Sequence, residues 1–257
     1  MPRFNARQAT DPRPVEMIPD FHHNAEGSVL YRAGGTIVLC TASIDPTVPP
    51  WMVGRGKGWL TADYQMHPRA GRSKREPREG RGKALSGRTQ EIQRLIGRAL
   101  RSAVDLDSFG ERTIVIDCDV LEADGGTRTA SVTGSFVATA LALSRLHANG
   151  ELDKPLFRDQ VAAISVGHVG DEVLLDLDYS EDSKARVDLN VVATGRGTLI
   201  EVQATAEGEA VERRDIDRMI DLGLSGVNKL LGVQRQTLAA AKVDLEKLFQ
   251  EGRWTVL

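Results

Sequence analysis

Cysteine is almost missing from this sequence. Cys40 and Cys118 are the only two among 257 residues, and each lies in an apolar run that reads as a strand. That excludes a disulfide-stapled fold and reads as buried free thiols in a reducing compartment. No CxxC, HExxH or EF-hand spacing occurs, which argues against zinc and calcium sites, and the five histidines form no ligand spacing. The N-terminus lacks a hydrophobic signal core. The most apolar helical stretch, 136–146, is too short to span a bilayer and contains Ser144 and Arg145. These absences predict a cytoplasmic protein with no membrane partner. The net charge is only −3, against non-specific polyanion binding by the whole surface. Hydrophobic residues, at 41 %, suffice for a core.

What is present centres on residues 121–135. The run Thr113–Leu121 predicts a buried strand, Gly125-Gly126 a turn free of side-chain obstruction, and Val132, Phe136, Ala140 and Leu143 a helix. Thr127, Thr129, Ser131 and Thr133 crowd the helix start, with Arg128 among them. Free amides and partial positive charge there favour an anion, and arginine adds a planar fork suited to phosphate. An ordinary N-cap beside a surface arginine fits the same residues equally well.

Residues 69–88 carry Arg69, Arg72, Lys74, Arg75, Arg78, Arg81, Lys83 and Arg88 against Glu76 and Glu79, with no aromatics. A solvated loop has this composition, and so does a polyanion-binding one; the mildly acidic remainder favours RNA or DNA as partner. Gly82–Thr89 looks like a P-loop, but no hydrophobic strand directly precedes it, so that reading fails. An amphipathic helix follows, with Ile92, Leu95, Ile96, Ala99, Leu100 and Ala103 on one face. Arg88 therefore sits at a second helix start.

The first half also holds a hairpin, 29–42, turning at Gly34-Gly35, and a short strand at 59–64; residues 1–14 read as an extended polar segment over the surface. After Gly150 the pattern restarts. Hairpins at 161–179 and 187–204 precede two helical segments, roughly 212–231 and 234–250. The chain thus reads as two α+β units, 1–150 and 151–257, with a weak internal repeat. Between these hairpins Asp182 and Asp188 flank a short connection. Carboxylates alone suit a hard cation such as Mg²⁺, although an acidic surface turn explains them as well.

The strings Asn24–Ser28, Thr61–Tyr64, Gly87–Ile96, Asp117–Leu121, Ala123–Ser131, Glu181–Ser183, Asp188–Val192 and Glu201–Gln203 together resemble the ribonuclease PH family over about residues 10–235. The resemblance implies a duplicated ribosomal-protein-like βαβ fold, with mixed sheets packed on helices. It implies a phosphate-dependent 3′-5′ exoribonuclease (a tRNA nucleotidyltransferase) that trims transfer RNA precursors, with ribosomal RNA a further substrate. It also implies a homohexamer built as a trimer of dimers. Inorganic phosphate as co-substrate would meet Arg88, Gly126, Thr127 and Arg128. Asp182 and Asp188 would hold Mg²⁺ or Mn²⁺ and, with Arg128, be catalytic. Arg69, Arg72, Lys74, Arg75, Arg78 and Arg81 would face RNA. The alternative within the resemblance is a catalytically silent RNA-binding subunit of an exosome-like ring. Two departures stand out: Ala6-Arg7, where the family has Gly-Arg, and Thr10-Asp11-Pro12. The tail beyond about 238 runs past the common pattern.

Overall fold

A computed structural model describes residues 3, 6–80 and 84–250. The chain enters through β1 (Val15–Pro19), a strand too short to show in the hydropathy pattern, and continues into β2 (Gly27–Ala33) and β3 (Thr36–Asp45). Gly34 makes the reversal between them at φ +55, a conformation that glycine adopts without a Cβ penalty. β4 (Trp59–Met66), α1 (Gly87–Ala103) and β5 (Thr113–Glu122) form a βαβ crossover, because β4 and β5 pair in parallel. The sheet order is β1-β2-β3-β5-β4, with the other pairs antiparallel.

Helix α2 (Thr127–Ala148) is buried on nearly every side. Its hydroxyls survive burial by hydrogen bonding to carbonyls: Ser131 to Thr127 at 2.9 Å, Thr139 to Ser135 at 2.7 Å, Thr133 to Ala163 at 3.1 Å. The Thr133 bond reaches the second sheet. That sheet comprises β6 (Val161–Val169), β7 (Glu172–Leu175), then, beyond the short helix α3 (Tyr179–Asp182), β8 (Val187–Thr194) and β9 (Leu199–Ala206). Its order is β7-β6-β8-β9, antiparallel throughout. α4 (Arg213–Ala240) covers one face, and α5 (Leu245–Leu248) closes the described chain. Residue 150 falls between α2 and β6, and α2 packs against both sheets. Among the described residues no helix is long and apolar enough to cross a membrane.

Three local expectations need correction. The strand predicted over 173–179 ends at Leu175, because Asp176 turns the chain at φ +55. The two helices expected at 212–231 and 234–250 are one helix to Ala240 plus the single turn of α5. Gly232 lies inside α4 at a cost of about 1 kcal/mol, but buried Leu230, Leu231 and Leu238 anchor both sides. Gln234 bonds to the carbonyls of Thr133 (3.0 Å) and Val161 (2.9 Å).

The third correction concerns the N-terminal segment, which is not a surface strip. Side chains of Arg3, Arg7 and Arg13 are 7 %, 5 % and 3 % exposed and share the carboxylates of Asp176 and Glu181. Arg13 grips Asp176 with both fork positions, at 2.9 and 2.6 Å. Leu175 donates to the Ala9 carbonyl at 2.8 Å, docking the segment onto the end of β7. Both departures from the family pattern lie here. Ala6 sits at φ +52, where glycine is the unstrained residue. Asp11 accepts from the Gln8 amide at 3.1 Å and closes the turn before Pro12.

Candidate active site

Strand β5 delivers the chain to Gly125 and Gly126, at φ +79 and +66. A Cβ on Gly125 would stand 2.5 Å from the Leu177 carbonyl oxygen and 2.8 Å from the Asp178 carbonyl carbon. Only glycine permits this approach, which sets α3 and its terminal Asp182 against the start of α2. Gly126 is the N-cap of α2 and provides no side-chain acceptor. The hydroxyls that the sequence offers as caps are engaged elsewhere. Thr127 lies 2.9 Å from the Tyr64 hydroxyl, and Thr129 donates to the Gly126 carbonyl at 2.9 Å. The first-turn amides of α2 thus have no side-chain cap, and the positive end of a long helix opens there. α1 differs, because Ser86 caps the Thr89 amide at 3.2 Å.

Both arginine-bearing helix starts converge on one cleft of about 520 Å³, lined by Arg88, Gly126, Thr127, Arg128, Asp182, Asp188 and Asn190 among others. Arg88 is exposed and makes no hydrogen bond to a described residue. Arg128 is not the surface arginine of an ordinary helix cap: its side chain is 16 % exposed and tied to Glu91 and Gln203.

Opposite the arginines stand two carboxylates, Asp182 at the end of α3 and Asp188 in β8. Partial desolvation in the cleft pushes both carboxyls above the usual aspartate range, less for the solvent-exposed Asp182 than for the half-buried Asp188, and the neighbouring Asp182 raises Asp188 further; Arg88 and Arg128 pull each partly back. Asn190, two residues along the same strand face, donates to Asp188 at 3.5 Å. Among the described residues no group of three or more His, Cys, Asp or Glu side chains could hold a metal. Two carboxylates sharing one cleft with two arginines still suit Mg²⁺, which takes one or two of them and completes its shell with water and substrate oxygens.

The sequence matches the models of the 3′ exoribonuclease family, domain 1 over residues 11–145 and domain 2 over residues 159–226. This chain belongs to that family. It is 51 % identical over 240 residues to ribonuclease PH of Moorella thermoacetica, covering 93 % of this chain and 95 % of the relative. It is 47 % identical over 253 residues to ribonuclease PH of a Geobacillus species, covering 97 % and 99 %. Its fold is also that of a chain in the Archaeoglobus fulgidus exosome with RNA bound to the active site. There the TM-score is 0.73 at 22 % identity, covering 90 % of this chain and 91 % of that one.

Of the basic loop in this family member, Arg72 alone among the described residues expected at RNA lines the cleft. It pairs with Asp124 at 3.2 Å while its side chain stays 77 % exposed. Arg69, Lys74, Arg75 and Arg78 are exposed along an irregular stretch outside the cleft, and Arg81 lies outside the described residues. Sequence reasoning missed Tyr64, Glu91, Asn190 and Gln203. Glu91 and Asn190 had a signal: one lies three residues past Arg88 on a helix, the other two past Asp188 on a strand. Tyr64 and Gln203 meet Thr127 and Arg128 only through tertiary packing.

Proposed function

We infer that this exoribonuclease shortens RNA from its 3′ end with inorganic phosphate as the attacking group. The observation that carries this is the single cleft in which Arg88, Arg128 and the uncapped start of α2 face Asp182 and Asp188. Two anions must meet there, and a hydrolase would not need such a seat for a second one. Arg88, Arg128 and the α2 amides hold phosphate in line with the last phosphodiester. A phosphate oxygen bonds to that phosphorus, the bond to the preceding 3′ oxygen breaks, and a nucleoside diphosphate leaves. The proton taken up by the 3′ oxygen comes from the attacking phosphate or from Asp182. Asp182 and Asp188 would hold Mg²⁺ or Mn²⁺, which supplies neutralising charge at the reacting oxygens. One phosphodiester becomes one phosphoanhydride-linked product, so the reaction reverses at high nucleoside diphosphate.

The resemblance to ribonuclease PH supports 3′-extended transfer RNA as substrate and a ring of six as the working assembly. Cys40 and Cys118, buried free thiols opposed in register on β3 and β5, suit the reducing cytoplasm. A silent ring subunit is not favoured, since such a chain is free to lose the arginines or the acidic pair, and here both face one cleft.

Incubation with 3′-extended transfer RNA should release nucleoside diphosphates only when phosphate is supplied. Nucleoside monophosphates in phosphate-free buffer would overturn the reading. The exposed loop has its own test. Neutralising Arg72, Arg75 and Arg78 together should lower the slope of log affinity against log salt by about 2 for single-stranded RNA. Phosphate binding should persist. An unchanged slope would make the loop a solvated surface only.

A further inference from the structure

Arg128 is held in place before any ligand arrives. Its Nη1 makes both of its side-chain hydrogen bonds, to Gln203 Oε1 at 2.8 Å and Glu91 Oε1 at 3.3 Å. Gln203 is itself fixed: its Nε2 donates to Glu91 Oε1 at 2.6 Å and to Glu201 Oε1 at 3.2 Å. Glu201 is in turn ion-paired with Arg98. Glu91 lies on α1, Arg128 on α2 and Gln203 on β9, so both halves of the chain meet at this guanidinium.

A guanidinium presents five N–H groups in one plane. With Nη1 tied back, the edge formed by Nε and Nη2 makes no hydrogen bond to a described residue. That edge suits two parallel bonds to a tetrahedral oxyanion. We propose that Gln203 and Glu91 are positioning residues for phosphorolysis, fixing Arg128 so that its Nε–Nη2 edge receives inorganic phosphate. This rests on reading Arg128 as a phosphate ligand. The chemistry of the pair fits the task. Gln203 aligns the guanidinium through a neutral acceptor, so it does not compete with phosphate as a carboxylate would. Glu91 supplies the charge that anchors both, and with its side chain 43 % exposed, water screens its repulsion of phosphate.

The test uses the full chain, with inorganic phosphate as the probe. Gln203→Met keeps the length of the side chain and removes all three of its hydrogen bonds, to Arg128, Glu91 and Glu201. Phosphate Kd by calorimetry and phosphate KM should rise about tenfold, the scale of one charge-assisted hydrogen bond. RNA KM, and kcat at saturating phosphate, should stay within about twofold. In an Arg128→Ala background, Gln203→Met should change nothing further. If Gln203→Met binds phosphate like wild type while Arg128→Ala does not, the clamp is overturned and the phosphate reading stands. If phosphate binding survives Arg128→Ala, that reading fails and the clamp with it. Equal losses in kcat, RNA affinity and melting temperature would make Gln203 a strut and also overturn the proposal.

Discussion

Asp182→Asn should slow phosphorolysis by roughly a hundredfold or more, the usual scale for removing a charge stabiliser from an active site, while leaving the fold intact. Asparagine keeps the shape and one acceptor oxygen but lacks the charge that a hard cation needs. RNA affinity should change little, because backbone binding is assigned to arginines. Asp188→Asn should behave similarly and raise the Mg²⁺ requirement. The stability side has a definite sign. Partial desolvation raises the Asp182 carboxyl above its ordinary 3.8, so the folded chain binds this proton more tightly than the unfolded chain does. Stability therefore falls slightly as pH rises from the unfolded value through the raised folded one; Asp182 is solvent-exposed, so water screens most of this effect and the ionised carboxylate costs little at neutral pH without metal. Asp182→Asn should then melt at or above the wild-type temperature in metal-free buffer. It should also lose any stabilisation that Mg²⁺ would give the wild type by binding only the folded state. Single-turnover rates and melting curves against Mg²⁺ check both halves. Wild-type speed across the metal titration would reduce the pair to an acidic turn.

Much of this cleft was legible in the sequence because its signals are local. A glycine pair after an apolar strand and before a helical period announces a turn. Arginines at two helix starts announce two anion-facing ends. Convergence of those ends was not legible. It depends on α1 and α2 packing on each other and on one sheet, and the acidic side of the cleft depends on the glycine-only contact between Gly125 and Leu177–Asp178, more than fifty residues apart in the chain and joined only through packing. The N-terminal segment failed for another reason. Hydropathy reads Arg3, Arg7 and Arg13 as solvent-facing, as such residues usually are. Here paired carboxylates and backbone carbonyls replace the water, and Asp176 and Glu181 lie more than 160 residues away. The misplaced end of β7 has the same origin. Residues 173–179 alternate as a strand should, but the Arg13 grip goes with a left-handed turn at Asp176.

The largest stability effect is expected at Asp176. From sequence it looks like a harmless acidic neighbour of Asp182 and Asp188, a suitable control for Asp182. The structure reverses that expectation. Asp176 accepts from the Arg13 amide at 2.7 Å and from the Arg13 guanidinium at 2.9 and 2.6 Å, and Arg7 lies 3.7 Å away. Burial alone would pull Arg13 down, but its bonds to Asp176 leave it held above its usual range. Removing the charge leaves Arg13 buried with only carbonyl and hydroxyl acceptors, while Arg3 and Arg7 keep Glu181. Breaking a buried pair from one side costs about 3–5 kcal/mol, because the remaining charge is stranded. Asp176→Asn should therefore lower the apparent melting temperature by roughly 6–20 °C. Asparagine is among the residues most tolerant of a positive φ, so the loss reports charge and not backbone strain. Chain that remains folded should also bind phosphate more weakly. Arg13 donates to the Asp124 carbonyl at 2.7 Å, and its Nη2 would lie 3.0 Å from a Cβ on Gly126, so it buttresses the turn that opens α2. Arg13→Met gives the complementary reading: it removes the stranded cation, and adding it to Asp176→Asn should restore part of the lost stability. Thermal melts of the two single variants and the double variant decide the matter. If Asp176→Asn melts with wild type, the cluster is effectively solvated and its arginines do not organise the site.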